Sequence, residues 1–367
     1  MAFTSLILNH FRNFKETPVD FNSSQIFFIG DNGQGKTNII EALYLLCYGS
    51  SFRVRFDNLM INNDSAKAFV KGEFFDHNNM KKDIMIRLSK NKAKEIVVDD
   101  KKVIDRKELI QNIPCVVFSH SDMQIIIGPP YLQRRFFNQT LSIYDIVFID
   151  LLRKYKKILL FRNRILKEKK TDLLDVYNIK LAQYGLEIQK KRQHTVASFN
   201  TIFSDLFKRI TGFEERCVIL YKPSWKDCLD QDDVLAVLKK KRGKDMLWKS
   251  TTTGPHRDRF FFYLGDRDFL KTASTGQIRL ISLILKIAQS KFFAEITQKK
   301  PLLLLDDVLL EIDKKKREFL IQLLPAYDQA FFTFLPDEDF ASYEKPDTLK
   351  YLVKSGIIQP WSELEIY

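Results

Sequence analysis

Cysteine is scarce in this sequence. The four, Cys47, Cys115, Cys217 and Cys228, lie far apart and form no C-x-x-C. This excludes a disulfide framework and a cysteine zinc site, and the thiols read as packing residues in a reducing compartment. No apolar run approaches the roughly 18 residues of a membrane span. The opening stretch, residues 1–10, has neither the basic head nor the small-residue cleavage site of a secretory signal. A cytoplasmic protein with no membrane attachment is expected. Acidic residues are in deficit, 46 against 59 Lys and Arg, for a net charge of +13. That surplus favours a polyanionic partner, nucleic acid ahead of a membrane surface; a general lysine bias is the plainer reading. Hydrophobic residues make up 45% of the chain, enough for a packed core, and 367 residues allow about two domains.

Proline is absent between Pro130 and Pro223, and that interval holds only two glycines, Gly185 and Gly212. Phe148, Leu152, Tyr155, Leu159 and Leu166 recur at helical spacing, as do Leu181, Tyr184, Ile188, Phe199, Ile202 and Leu206. Two long helices are expected, parted near Asp172. From Tyr131 to Lys222 there are 19 Lys and Arg against 9 Asp and Glu, so most of the surplus charge sits here. Arg153, Lys154, Lys156 and Lys157 are the candidates for phosphate contacts. A solvated helix face is the competing reading, and Arg192, on the apolar stripe, reads equally as a snorkelling residue.

The flanks alternate strand and helix patterns. Short β-type runs occur at residues 6–8, 26–29, 84–86, 96–98 and 115–118, and again at 260–263, 302–305 and 330–333. The expected fold is α/β, with one layer built from both chain ends and a mainly helical arm inserted between them. The expected boundaries are 1–120, 121–245 and 246–367.

Gly30-Asp31-Asn32-Gly33-Gln34-Gly35-Lys36-Thr37 matches the phosphate-loop pattern G-x-x-x-x-G-K-[ST], between the apolar run 26–29 and the helical pattern 39–46. Glycines let backbone N–H groups converge on phosphate oxygens. Lys36 brings charge to the β- and γ-phosphates of ATP, and Thr37 offers a hydroxyl to Mg²⁺. Downstream, the run 302–305 ends in Asp306-Asp307. In phosphate-loop ATPases the first such carboxylate serves Mg²⁺, and the second is placed to polarise the attacking water. Helix capping by aspartate is the plainer alternative.

Spacing selects the subclass. Lys36 and Asp306 are 270 positions apart, far more than in a small kinase or GTPase, and Asn91-Lys92-Ala93-Lys94 lacks the Asp of a GTPase base reader. Ser274-Thr275-Gly276-Gln277 precedes Asp306 and opens a helical pattern. S-x-G-Q is the signature pattern of ABC-type ATPases, and a hydroxyl with free N–H groups at a helix start makes an anion site. Ser274, Gly276 and Gln277 are therefore expected to cap the γ-phosphate of a nucleotide held by a second subunit. Lys36 and Asp307 are the catalytic candidates, and Thr37 and Asp306 the metal ligands.

With these motifs in order, the chain resembles the RecF family of bacterial recombination proteins over essentially its whole length. Phe11-Arg12-Asn13-Phe14, the continuation Thr37-Asn38-Ile39-Ile40-Glu41-Ala42, Ser51-Phe52-Arg53 and Arg162-Asn163 look like family segments. So do Thr252-Thr253-Gly254-Pro255-His256-Arg257-Asp258, Leu305-Asp306-Asp307-Val308 and a D-loop at Glu311-Ile312-Asp313. The chain departs from the pattern in four places: Ser119-His120-Ser121-Asp122 for a Pro-Glu-Asp segment, of which only Asp122 remains, Leu310 for the D-loop serine, Ile278 for a second glutamine, and Thr333 where many ABC ATPases have a switch histidine. The resemblance implies an ABC-type head that binds ATP and Mg²⁺ and forms an ATP-dependent homodimer on duplex DNA near single-strand/double-strand junctions. It implies assistance to RecA loading together with RecR and RecO, with slow, DNA-stimulated ATP hydrolysis as the switch in DNA repair. An SMC-like ATPase, a transporter ATPase and a non-hydrolysing DNA clamp share the nucleotide motifs. The first needs a coiled coil too long for the interval 37–274.

Overall fold

The computed structural model describes residues 1–169, 171–308, 312 and 314–362. The chain divides into two compact units, Met1–His120 with Phe293–Tyr367, and Ser121–Phe292. It re-enters the first unit at Phe293, later than the 245/246 position read from the sequence, because residues 251–258 bond into the helices of the second unit. Among the described residues no helix is long and apolar enough to cross a membrane.

The first unit holds two six-stranded sheets. One is antiparallel and built from residues 2–102 alone, in the order Glu16–Asp20, Ala2–Asn9, Lys67–Phe75, Lys81–Ser89, Glu95–Val98, Lys101–Lys102. The other draws on both chain ends, in the order Ile357–Pro360, Leu349–Lys354, Gln25–Ile29, Ala330–Phe334, Leu302–Asp306, Cys115–Ser119. Its four central pairings are parallel. Both faces are covered, which is why 26–29, 302–305 and 330–332 are continuous apolar runs rather than alternating ones. Phe28, Phe331 and Phe21 pack their rings at centroid distances of 5.0–6.3 Å, and helix α1 (Lys36–Tyr48) lies buried along most of its length. Gly49 ends α1 in a left-handed cap, its N–H donating to Leu45 O at 2.7 Å.

The second unit is helical around a small sheet. It contains α2 (Pro130–Tyr144), α3 (Ile146–Glu168), α4 (Leu174–Thr211) and α5 (Gln231–Trp248), and α6 (Thr275–Thr297) begins in it. A three-stranded antiparallel sheet, Arg267–Asp268, Arg259–Leu264, Cys217–Lys222, completes it. Asp145 caps α3, a 3-10 turn at Thr171–Leu173 parts α3 from α4 where Asp172 suggested, and Asp230 with Asp233 closes a capping box on α5. Phe136, Phe137, Phe199, Phe260 and Phe292 interlock in its core.

Candidate functional site

The parallel register aligns strand ends. Ile29 pairs with Phe334, Leu305 with Phe332, and Asp306 with Ser119. The phosphate loop, Thr333 and Asp306-Asp307 thus emerge at one carboxyl edge, the place where open α/β sheets collect ligands. Thr333 occupies the strand between the loop strand and the acidic strand.

The loop is shaped by close approaches. A Cβ on Gly30 would stand 2.3 Å from the Val353 carbonyl oxygen. Gly35 has φ +124, and a Cβ there would meet Asn13 at 2.8 Å. Asn13 Nδ2 donates to Gln34 O at 2.8 Å, and Asn38 Nδ2 donates to Asn13 Oδ1 at 2.8 Å. Gln34 Oε1 accepts from Ser355 N at 2.6 Å, so this side chain anchors the loop to the turn between the last two strands. Asp31, Asn32 and Gly33 form the exposed crest. Lys36 is buried, its ammonium donating to Gly30 O at 2.5 Å and Asp31 O at 3.1 Å. The ammonium thus folds back over the loop's own carbonyls.

Thr37 Oγ1 donates to Asp306 Oδ1 at 2.8 Å across 269 positions of sequence. Burial pushes the Asp306 carboxyl up to about 7; the Thr37 bond opposes this and Asp307 adds to it. Asp307 has φ +49, a left-handed conformation uncommon outside Gly, Asn and Asp. Thr333 Oγ1 accepts from Asp307 N and donates to Asp307 Oδ1, both at 2.7 Å. The hydroxyl at the switch-histidine position therefore fixes the second carboxylate while the first is fixed by Thr37.

Behind the loop lies a charged network that sequence reasoning missed. Glu41 is fully buried on α1 and accepts a bidentate pair from Arg12, Nε and NH2 each at 2.8 Å. Ser51 Oγ donates to Glu41 Oε1 at 2.5 Å, and Arg53 NH1 reaches Asn38 Oδ1 at 2.8 Å and Glu41 Oε2 at 3.3 Å. The F-R-N and S-F-R segments are thus tied to α1 from both sides. The signal was a glutamate inside the apolar run 39–46.

In the second unit Ser274 and Gln277 form a reciprocal cap on α6. Gln277 N donates to Ser274 Oγ at 3.3 Å, and Ser274 N donates to Gln277 Oε1 at 2.8 Å. Both Ser274 and Gly276 are exposed, and a Cβ on Gly276 would meet nothing within 4 Å. Gly276 stands in the first turn of α6, open to solvent.

The T-T-G-P-H-R-D string is a buried keystone of that unit. Asp258 accepts from Arg192 NH1 at 2.8 Å, Gln189 Nε2 at 2.7 Å, Ser224 N at 2.8 Å and the Tyr221 hydroxyl. Arg192 is therefore a fully enclosed ion-pair partner and does not snorkel. Arg162, also enclosed, pairs with Asp245 and donates to Thr251 Oγ1, each at 2.8 Å. Asn163 Oδ1 accepts from Thr251 N at 2.8 Å. Burial holds His256 down to about 4, so the ring is neutral: Nε2–H donates to Thr251 O at 3.0 Å, and Nδ1 accepts from the Tyr155 hydroxyl at 2.7 Å. Arg153, Lys154, Lys156 and Lys157 lie exposed on α3, Arg153 paired with Asp150. Leu310, Glu311 and Asp313 of the D-loop lie outside the described residues. Ser119 ends its strand opposite Asp306, and Asp122 is buried.

Comparison with known proteins agrees with this architecture. The family model described as RecF/RecN/SMC N terminal domain matches residues 2–351. The DNA replication and repair protein RecF of Treponema pallidum (strain Nichols) is 39% identical over 353 residues, spanning 95% of this chain and 98% of that protein. The protein of the same description from Leptospira interrogans (strain Fiocruz L1-130) is 31% identical over 98% of this chain and 100% of its own length. A solved structure described as the recombination mediator protein RecF-ATP in the RecFOR pathway superposes with a TM-score of 0.90 at 28% identity, covering 98% of this chain and 97% of that one. An SMC head bound to the winged-helix domain of ScpA shares the fold at a TM-score of 0.60 and 14% identity. The expected α/β head with its helical insertion is the fold observed, the likeness runs from end to end, and the chain belongs to the RecF family.

Proposed function

We propose that this chain is an ATP-binding, DNA-binding protein of recombinational repair that closes as a homodimer on duplex DNA and uses slow ATP hydrolysis to reopen. The observation that carries the reading is the Thr37–Asp306 contact, which joins a hydroxyl and a carboxylate from opposite ends of the chain beside Lys36. That donor set suits a hard divalent cation with oxygen ligands. Thr37 and Asp306 would hold Mg²⁺, which when bound would neutralise charge on the β- and γ-phosphates.

Lys36 leaves the Gly30 and Asp31 carbonyls for phosphate oxygens, while the loop N–H groups and the start of α1 take the remainder. Asp307, oriented by Thr333, accepts a proton from the attacking water. Ser274, Gly276 and Gln277 present N–H groups and a hydroxyl to the γ-phosphate of the opposite subunit. The unfilled space beside Gly276 supports an approach from outside the chain. Hydrolysis removes the bridging phosphate and with it the bias toward the dimer.

Exposed cations on α3 support backbone contacts rather than base reading. The solved relative described as a mediator of the RecFOR pathway supports RecO and RecR as partners. Membership of the family supports action at single-strand/double-strand junctions, RecA loading and a cytoplasmic location. Lys36→Ala tests the reading: nucleotide affinity and ATP-dependent retention on duplex DNA should be lost together. Retained nucleotide affinity would refute the site.

A further inference from the structure

The outward half of the G-P-H-R-D segment gathers positive charge. Arg257 is exposed, its Nε and NH2 donating weakly to Thr251 O at 3.4 and 3.3 Å. Arg134, half-buried on α2, spends one of its five N–H donors on Asp258 O at 2.8 Å. Arg259 is exposed and sits directly opposite Lys222 in the antiparallel register, a like-charge pair that destabilises a sheet. Lys222 leans over the Phe261 ring at 4.7 Å. Burial, then the charge of Arg192 behind it, holds the Arg134 guanidinium below its usual range; Arg257 and Arg259 add to this, and Asp258 opposes it.

The carboxylate at the centre is already committed. Both Asp258 oxygens are engaged by Arg192, Gln189, Tyr221 and the Ser224 N–H. Among the described residues no carboxylate lies within ion-pair distance of Arg134, Arg257, Arg259 or Lys222. A protein that gathers Arg134, Arg257 and Arg259 about a saturated carboxylate, and sets Arg259 opposite Lys222 on the neighbouring strand, leaves the compensating anion to come from outside.

We infer that Arg257, Arg259, Lys222 and Arg134 form a phosphate-binding site of the second unit that takes the phosphodiester backbone of a nucleic acid, separate from the basic face of α3. Guanidinium forks suit phosphate oxygens bidentately. Arg259 and Lys222 stand side by side on an open sheet face with exposed Leu220 and half-buried Phe261, and Arg257 precedes them at the strand entry. A chain of phosphates fits such a row better than one phosphate group does. The buried keystone explains the arrangement: Arg192–Asp258 and Arg162–Asp245 hold the backbone of residues 251–258 so that Arg257 and Arg259 project from a fixed frame.

The inference rests on the DNA-binding reading above, and the test separates the two. Duplex affinity of the full chain with ATP and Mg²⁺ is measured across a salt series. Arg257→Gln/Arg259→Gln should lower the log–log salt slope by about 1.8, roughly 0.9 for each phosphate no longer neutralised, equally for unrelated sequences. Arg257→Lys/Arg259→Lys should keep most of the slope. Lys222→Gln, at an exposed strand end, should lower it by about 0.9 and serves if the double variant folds poorly. A wild-type slope in folded glutamine variants overturns the inference while leaving the α3 reading intact. Loss of ATP affinity with an unchanged DNA slope overturns it too, because the cations would then serve a nucleotide phosphate. Absence of salt-dependent duplex binding by the wild-type chain refutes the parent reading itself.

Discussion

Removing the Asp258 carboxylate should be among the costliest single changes in the second unit. Asp258→Ala leaves Arg192, which is 3% exposed, without its ionic partner, and strips a hydrogen bond from Gln189, Tyr221 and the Ser224 N–H. Breaking an enclosed ion pair from one side costs about 3–5 kcal/mol, and each donor left unsatisfied costs about 1–3 kcal/mol. These do not add, because Arg192 keeps Pro255 O at 2.8 Å and Asn138 Oδ1 at 3.0–3.1 Å. A loss of about 4 kcal/mol is expected. Arg192→Met should cost less, about 2–3 kcal/mol, because three donors still serve the carboxylate. Trp225, one of three tryptophans, is 2% exposed in the same core, so its fluorescence reports this unit in urea unfolding. The double variant should recover part of the combined loss, giving a coupling of at least about 1.5 kcal/mol. Additive losses, or a cost below about 1 kcal/mol for Asp258→Ala, would show that the pair does not hold the unit together.

Three further outcomes follow from the geometry. Because His256 is held near 4 when folded and titrates near 6.5 when unfolded, the unfolded chain takes up the proton first; stability should fall as pH drops from about 6.5 to 4, by up to about 3 kcal/mol, and His256→Gln should flatten that segment of a pH series of urea midpoints. Thr333→Val keeps the shape but removes both bonds to Asp307; hydrolysis should slow on the order of tenfold or more with nucleotide affinity nearly unchanged, and an unaltered turnover would separate Thr333 from the chemistry. Gly30→Ala drives a methyl against the Val353 carbonyl; equilibrium nucleotide titration should show weakened affinity, and thermal scans a destabilisation of about 1–3 kcal/mol.

The sheet edge that carries the phosphate loop was legible because each of its parts is local in sequence. A strand, a glycine loop and a helix start are contiguous, and the run 302–305 betrays a strand buried on both faces. The strand Glu16–Asp20 was not legible: Pro18 argues against a strand, and it is tolerated here because the strand lies at a sheet edge. Lys67–Phe75 hid behind Lys71, Gly72 and Glu73, although its inward positions alternate cleanly once the sheet is formed. The buried arginines failed for a different reason. Arg162 and Arg192 sit on apolar helix faces, and their carboxylates lie 83 and 66 positions downstream. Periodicity sees a cation on the wrong face but cannot name its partner. Ser274–Gln277 has both readings at once, since the cap that builds the helix also orients the N–H groups a phosphate would need.

If two subunits share each nucleotide, two variants that are inactive alone should restore hydrolysis when mixed. Lys36→Ala should disable the loop, while Ser274→Arg should disable the cap and block ATP-driven pairing but spare nucleotide binding by the monomer. A mixed dimer retains one intact loop facing one intact cap. ATP hydrolysis measured on each variant alone and on their mixture should show activity returning only in the mixture. Mixed dimers that form, as shown by mass, yet hydrolyse nothing would contradict the shared site.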